Sequence, residues 1–141
     1  MRITTRGRYA LRASLALAKL GKDGNPVSIS HLAEQENISS VFLEQIFFKL
    51  RKAGLVSSIR GPGGGFYFAK SLDELTIKQI LDAAGEDLNI TACDKHTVDC
   101  EHIGDCLSHH VWEDLTKMVN DYFAGITLSS IIDKHQDIFN A

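Results

Sequence analysis

A glycine-rich turn stands between two short apolar stretches in the first half of the chain. Residues 60–68 read RGPGGGFYF, and residues 61–65 hold four glycines and one proline. Glycine loses more backbone entropy on ordering than any other residue, so such a turn is costly to fold. The flanking stretches, LVSSIR and FYFAK, have the composition of β-strands. The sequence therefore predicts a β-hairpin whose tip carries almost no side chains.

The residues before this hairpin predict three helices. The first spans about 5–20, the second opens at Ser28, and the third begins at Ser39 or Ser40. Gly54 ends the third helix, because glycine adopts the left-handed conformation at low cost. Apolar residues repeat along one face of this third helix with the spacing of a buried stripe. They are Leu43, Ile46, Phe47 and Leu50.

Two helices joined by a short turn and followed by a glycine-tipped hairpin are the order of elements typical of a winged helix-turn-helix domain. In such a domain the third helix enters the DNA major groove by its N-terminal end. The hairpin then lies against the backbone or minor groove, where Gly63 and Gly64 would let main-chain N–H groups approach phosphates and Arg60 would supply charge. A tight hairpin can also carry glycine for structural reasons alone. We predict a mainly α fold with a small β-hairpin, the winged helix-turn-helix covering 1–84.

Charge is distributed unevenly along the chain. Residues 1–70 hold eleven Lys/Arg and four Asp/Glu, a net charge of +7, whereas residues 71–141 hold four and fourteen, a net charge of −10. This asymmetry predicts that the first half faces a polyanion such as double-stranded DNA. Uneven solvation of two faces would explain the same charges.

The N-terminal segment is basic and then apolar, as in a signal peptide. Arg12 and Lys19 interrupt the apolar stretch, so an amphipathic helix fits the segment better. No apolar run approaches the roughly 20 residues that span a bilayer. We therefore expect a cytoplasmic, nucleoid-associated protein that does not contact a membrane.

The second half predicts a short helix from Thr76, a polar loop at 85–106 and a long helix from Leu107. Thr127 caps a last helix, so we assign 107–141 to a dimerisation helix and a C-terminal helix. The long helix carries one apolar stripe, which is either intramolecular core or the seam of a homodimer that reads two half-sites. The stripe consists of Leu107, Val111, Leu115, Met118 and Tyr122.

All three cysteines lie in the polar loop, in the pattern C-x6-C-x5-C. An odd number of thiols in a cytoplasmic protein argues against a disulfide framework and favours a metal. Structural zinc sites usually show C-x2-4-C pairs, whereas iron–sulfur clusters tolerate wider spacing and an occasional histidine ligand. Spacing alone leaves an iron–sulfur cluster, zinc and redox thiols open. Candidate fourth ligands are His96, His102, His109 and His110.

Four parts of the chain together resemble the Rrf2 family of bacterial transcriptional regulators, and within it the regulators of iron–sulfur cluster supply. They are MRITTRGRYALRA, FLEQIFFKLRKAGLVSSIRGPGGGF, the three-cysteine loop and LSHHVWEDLTKMVNDYFAGITL. The resemblance implies a homodimer, not an enzyme, that controls iron–sulfur cluster biogenesis genes. It also implies one [2Fe–2S] cluster per subunit, received from the iron–sulfur cluster assembly machinery. The implied ligands are Cys93, Cys100, Cys106 and His109.

Other metal centres remain open beside that implied cluster. The other metal centres are a [4Fe–4S] cluster and zinc. A third alternative is a sensor whose thiols respond to iron, nitric oxide or peroxide. Of the loop histidines, His96 and His102 are expected to be solvated rather than ligands.

The resemblance also assigns residues to DNA reading. It implies that Gln45 contacts a base, that Arg60 reaches into the minor groove, and that Glu44 discriminates between two operator classes. Val41 stands where relatives have a DNA-contacting serine, so this contact is lost or replaced by packing against a thymine methyl group. The candidates for a substitute phosphate contact are Ser39 and Ser40. The aromatic residues expected in the core or an interface are Phe42, Phe47, Phe48 and Trp112.

Overall fold

The computed structural model describes residues 2–94, 100–102 and 104–141, and these form seven α-helices, a 3-10 turn and one two-stranded hairpin. In chain order the elements are α1 (Thr5–Leu20), α2 (Ile29–Glu36), α3 (Ser40–Lys52), β1 (Val56–Ile59), β2 (Gly65–Phe68), α4 (Ile77–Ala84), the 3-10 turn (Ala92–Asp94), α5 (Leu107–Ala124), α6 (Leu128–Lys134) and α7 (Gln136–Phe139).

Polar side chains set where five of the helices begin. Thr4, Ser28, Ser39, Thr76 and Thr127 precede α1, α2, α3, α4 and α6, respectively. In each case the side-chain oxygen accepts a hydrogen bond from the backbone N–H three residues further on. Each bond satisfies one of the N–H groups that a helix leaves unpaired at its start. The predicted helix starts are confirmed.

Helices α1 to α4 pack around one hydrophobic core. The stripe predicted on α3 is buried, with no member more than 1% exposed. Each such side chain contributes about 1.5–3 kcal/mol on burial, so α3 is held firmly against the body. Leu128, the first residue of α6, is also fully buried in this core.

The hairpin is antiparallel, and its second strand is hydrogen-bonded to the segment that precedes α2. Val56 pairs with Phe68 and Ile59 pairs with Gly65. Val27, just before α2, adds a third contact, because its N–H donates to the Phe66 carbonyl at 2.9 Å and its carbonyl accepts from the Phe66 N–H at 2.8 Å. These bonds fix the hairpin relative to α2.

Helix α5 differs from the other long helices because none of its residues is buried. It contacts α4 and the 3-10 turn. Its predicted apolar stripe is exposed, with Leu107 at 87%, Met118 at 67% and Tyr122 at 65%. Although this stripe is apolar, no helix in the described part of the chain has the length and hydropathy needed to cross a membrane.

Candidate nucleic-acid interface and metal-binding loop

The first turns of α3 present polar side chains to solvent. Glu44 and Gln45 are exposed on the side opposite the buried stripe, and Ser40 is exposed at the first helical position. Ser39 Oγ accepts from the Phe42 N–H at 3.4 Å, which leaves its hydroxyl hydrogen able to donate to a phosphate oxygen. The predicted residues of this helix are therefore accessible to a ligand that approaches its N-terminal end.

The second half of α3 is basic and is tied to the hairpin. Its last turn contains Lys49, Arg51 and Lys52. Arg51 Nη1 donates to Ser58 Oγ on β1 at 3.1 Å, and the Arg51 guanidinium carbon lies 5.8 Å from the centre of the Phe48 ring. These contacts place the Arg51 cation beside the hairpin.

Phe48 does not occupy the core. Phe47 is fully buried and Phe42 packs against the core, whereas Phe48 is 56% exposed and Trp112 is 38% exposed. An interface for these two side chains would therefore need another molecule.

The tip of the hairpin has the open character predicted from its glycines. Arg60 and Gly63 are exposed. Gly63 has φ +74°, a backbone conformation that residues with a Cβ adopt only at a cost. A Cβ at this position would meet no atom within 4 Å. Gly64 has a structural role, because its N–H donates to the Gly61 carbonyl at 2.9 Å and a Cβ would collide with the Ile59 carbonyl oxygen. The tip is thus compact and free of obstructing side chains.

Two of the three cysteines lie on elements that belong to α5 or contact it. Cys93 is in the 3-10 turn that contacts α5, and Cys106 is the N-cap residue of α5. Each of the three thiols, including that of Cys100, is free and partly buried. The prediction for His96 falls outside the described residues, and His102 has an exposed side chain.

The environment of Cys106 favours its thiolate. Its Sγ lies 3.1 Å from Ser108 Oγ. This hydrogen bond, followed by one from the backbone N–H of His109, lowers the pKa of Cys106, although partial burial and the charge of Asp105 oppose the shift. A thiolate is the form of cysteine that binds metals, and helix N-termini commonly stabilise it. The Cys106 environment therefore fits a metal ligand.

His109 has an unsatisfied ring nitrogen. Its side chain is 14% exposed, against 70% for His110. The Nδ1 atom of His109 is buried and has no hydrogen-bond partner within the described ranges, while its Nε2 lies 3.9 Å from Glu113 Oε2. A buried polar atom without a partner is unfavourable, and a metal would satisfy it. These observations favour His109 over His110 as a ligand.

The predicted ligands are not gathered into one group. Among residues 2–94, 100–102 and 104–141, no three His, Cys, Asp or Glu side chains lie in an arrangement that could hold a metal. Cys106 and His109 share the first turn of α5, and the turn that carries Cys93 contacts this helix. The individual donors fit a metal, but metal binding would require Cys93 and Cys100 to approach the first turn of α5.

Glu86 joins the start of this loop to α1, a role that no sequence pattern indicates. It is 9% exposed. Its Oε1 accepts from the backbone N–H groups of Thr4 and Gly7, both at 3.1 Å, and from the Thr4 hydroxyl. A carboxylate at a helix N-terminus accepts hydrogen bonds from free N–H groups and interacts favourably with the positive end of the helix dipole.

The same loop is also hydrogen-bonded to α5. The Ile90 N–H donates to Thr116 Oγ1 of α5 at 3.3 Å.

Known proteins resemble this chain along nearly its whole length. The Rrf2 family, described as an iron-dependent transcriptional regulator, matches residues 3–134. An HTH-type transcriptional regulator of Neisseria meningitidis is 46% identical over 134 residues, which cover 95% of this chain and 89% of that protein. The HTH-type transcriptional regulator IscR of Pectobacterium carotovorum is 38% identical over 136 residues, covering 96% of this chain and 82% of IscR.

Two solved structures confirm the predicted fold. T. potens IscR superposes with a TM-score of 0.73 at 28% identity, covering 95% of this chain and 88% of that one. CymR, the global cysteine regulator of B. subtilis, superposes with a TM-score of 0.77 at 28% identity, covering 95% and 98%. The structural similarity therefore covers the long helix and the C-terminal segment as well as the winged helix-turn-helix.

Proposed function

Because the chain belongs to the Rrf2 family of transcriptional regulators, we propose that it is a homodimeric regulator that senses iron–sulfur status through one [2Fe–2S] cluster per subunit. Members of this family are transcriptional regulators and not enzymes, and the chain is related to both IscR and CymR. The observation that carries the sensing proposal is the buried, unpartnered Nδ1 of His109, one helical turn from a Cys106 thiol that favours its thiolate.

The proposed ligands are Cys93, Cys100, Cys106 and His109. Cys106 presents a sulfur stabilised by Ser108, and His109 presents a ring nitrogen that lacks another partner. When bound, a cluster supplies a centre whose occupancy depends on iron, sulfide and oxidants. We assign its delivery to the cell's iron–sulfur cluster assembly machinery, in the bacterial cytoplasm.

Binding of a cluster by the cysteine loop can influence the DNA-binding half of the chain. Cys93 and Cys100 must approach the first turn of α5, and the same loop begins at Glu86. The Glu86 carboxylate holds the N-terminus of α1, so movement of the loop acts on a helix that packs against α2 and α3. For holo and apo forms to prefer different operators, this coupling must reach about 1–3 kcal/mol.

DNA reading is assigned to α3 and the hairpin. Gln45 can bind adenine through two hydrogen bonds, and Glu44 can accept from the amino group of cytosine but meets the acceptors of guanine badly. Ser39 and Ser40 can donate to phosphates. Arg60 at the hairpin tip is assigned to the minor groove, beside Gly63, whose N–H group can approach the DNA backbone. The Gly64 N–H already donates to the Gly61 carbonyl at 2.9 Å, so Gly64 is assigned to the shape of the turn.

The exposed stripe of α5 is assigned to a homodimer. A second copy of α5 would cover Leu107, Met118 and Tyr122, which the described part of this chain leaves exposed. A two-fold dimer presents two copies of α3 to two half-sites of a double-stranded operator. Genes for iron–sulfur cluster biogenesis are the proposed targets.

Anaerobic purification tests the sensing proposal directly. We expect a coloured protein with about two irons and two acid-labile sulfides per chain, and an operator preference that changes when the cluster is removed by chelation. About four of each would instead support a [4Fe–4S] centre. Stoichiometric zinc without sulfide, with DNA binding unaffected by redox state, would leave the regulator standing and overturn the iron–sulfur sensor.

A further inference from the structure

Two exposed apolar side chains lie on the recognition helix. Val41 is 62% exposed and Phe48 is 56% exposed, although α3 buries its other large apolar residues wholly or in part. Residues seven apart lie almost on one line along an α-helix, since seven residues are close to two turns. The exposed residues Glu44 and Gln45 lie between them on the same face.

The spacing of these four residues matches a known way of reading bases. In a homeodomain, side chains at relative positions 0, 3, 4 and 7 of the recognition helix face the major groove. Val41, Glu44, Gln45 and Phe48 have the same spacing on α3. The strip that would face the bases therefore has two polar residues in its middle and one apolar residue at each end.

The charges around Phe48 indicate what covers it. Lys49 follows it directly in the sequence and Lys52 lies one helical turn further on, and the Arg51 guanidinium carbon lies 5.8 Å from its ring centre. Arg51 is itself held by Ser58 of the hairpin. A surface with this many cations attracts a polyanion, so DNA suits this face better than an apolar protein surface does.

We propose that Val41 and Phe48 are specificity-determining residues that each contact the methyl group of a thymine in the major groove. This inference rests on the proposed DNA-binding function. The thymine methyl is the apolar group on the major-groove edges of the bases, which otherwise present hydrogen-bond donors and acceptors. A valine or phenylalanine against those polar edges would remove water without replacing its hydrogen bonds.

The helix geometry also separates the two thymines. Seven residues advance about 10 Å along an α-helix, which is well beyond the rise of about 3.4 Å per base pair. Each half-site should therefore contain two methyl contacts on different base pairs. The bases read by Glu44 and Gln45 lie between them.

Replacing thymine by uracil isolates each contact, because it removes one methyl group and leaves base pairing intact. The preferred sequence is first selected from random double-stranded DNA with the wild-type protein. Binding is then measured on duplexes with deoxyuridine at one thymine at a time. We expect about a fourfold loss of affinity at each of two positions per half-site, the equivalent of one buried CH2 group.

Substitutions assign each methyl group to a side chain. Phe48→Ala should abolish the thymine-over-uracil preference at one position, and Val41→Ala should abolish it at the other. Phe48→Leu should keep most of the preference, since leucine still offers an apolar contact. Ile138→Ala is the matched control, because Ile138 is an equally exposed apolar residue, at 68%, on α7. Circular dichroism confirms that each variant is folded.

Each possible outcome either supports or contradicts the inference. Loss of discrimination by Phe48→Ala and Val41→Ala at different positions supports it. If Phe48→Ala weakens binding equally on thymine and uracil duplexes, or leaves the preference intact, the inference is wrong while DNA reading stands. If the wild-type protein enriches no sequence at all, the proposed function fails and the inference fails with it.

Discussion

Helices α3 and α5 both expose apolar side chains, but in opposite electrostatic surroundings. On α3, Phe48 lies among Lys49, Arg51 and Lys52. On α5, the exposed stripe shares its helix with three carboxylates and one lysine. These charged residues are Glu113, Asp114, Lys117 and Asp121. An apolar surface does not identify its partner, and the neighbouring charges are compatible with the proposed DNA contact for α3 and unfavourable to a DNA contact for α5.

The two helices also differ in how firmly the molecule holds them. Four residues of α3 are fully buried, and Arg51 ties the helix to the hairpin. α5 has no buried residue. It contacts α4 and the 3-10 turn, and its Thr116 accepts a hydrogen bond from the Ile90 N–H. A rigid helix suits base reading, whereas the helix with fewer restraints carries the candidate metal ligands. Movement on metal binding is therefore expected at α5 and its loop.

The largest expected effect is loss of the metal centre. His109→Ala should abolish the visible absorption of the anaerobically purified protein, because it removes the buried ring nitrogen proposed as a ligand. His110→Ala, one residue on and largely exposed, should retain the absorption and the iron content. A coloured His109→Ala protein, or a colourless His110→Ala protein, would show that the ligand set is wrong and would weaken the assignment of α5 as the sensing helix.

A charge within the stripe of α5 tests its assignment to a protein partner. Met118→Asp should raise the dimer dissociation constant by at least about a hundredfold, since an unpaired charge buried in an interface costs about 3–5 kcal/mol. Sedimentation velocity measures the monomer fraction, and Ile138→Asp on α7 is the exposed control. A Met118→Asp protein that stays dimeric at nanomolar concentration would place the dimer interface elsewhere.

The inner and outer faces of α3 can be compared at adjacent positions. Phe47→Ala should lower the free energy of unfolding by about 3–5 kcal/mol, because it leaves a cavity in the core. Phe48→Ala should lower it by less than about 1 kcal/mol, since the side chain is exposed. Urea unfolding monitored by circular dichroism measures both. Equal losses would mean that Phe48 is part of the core in solution.

Glu86 connects the two regions and gives a smaller effect. Glu86→Ala leaves the Thr4 N–H without its acceptor and leaves the Gly7 N–H with only its 3.3 Å bond to Thr4 Oγ1, so the free energy of unfolding should fall by about 1–3 kcal/mol. Glu74→Ala removes an exposed carboxylate and is the matched control. If both variants unfold at the same urea concentration, the Glu86 contact does not hold α1 in solution.

The smallest expected effect concerns the hairpin tip. Arg60→Ala should weaken DNA binding and reduce the slope of log K against log salt by about one, provided that Arg60 contacts a phosphate. Lys134→Ala, on α6 and distant in sequence from the hairpin, removes the same charge as a control. Unchanged affinity and slope for Arg60→Ala would mean that the hairpin is not part of the DNA-binding surface. α3 would then be the remaining element proposed to contact DNA.

Much of the fold was predictable because it depends on neighbours in the sequence. The caps at Thr4, Ser28 and Ser39 each need an oxygen three residues before a free N–H. The hairpin needs only two strand-forming stretches and a turn that tolerates positive φ at Gly63. The candidate site was predictable to the extent that it depends on residue type, as with clustered thiols and an exposed arginine.

Contacts between distant residues were not predictable in this way. Val27 pairs with Phe66, and Glu86 holds the backbone of Thr4. Leu128 enters the core of the N-terminal half. None of these contacts has a periodic signal, because each depends on how the helices are placed in space. His109 was already implied as a ligand by the family resemblance, and the structure adds that its side chain is 14% exposed against 70% for His110.

The apolar stripes of α3 and α5 show where sequence information ends. Both have helical spacing, so each chain segment specified an amphipathic helix through local geometry. Only the tertiary structure decided that Phe47 is buried while Met118 is exposed. Burial depends on whether another surface of the chain is there to cover the stripe, and α1 and α4 pack against α3. For the apolar stripe of α5, the folded chain supplies no such cover among its described residues.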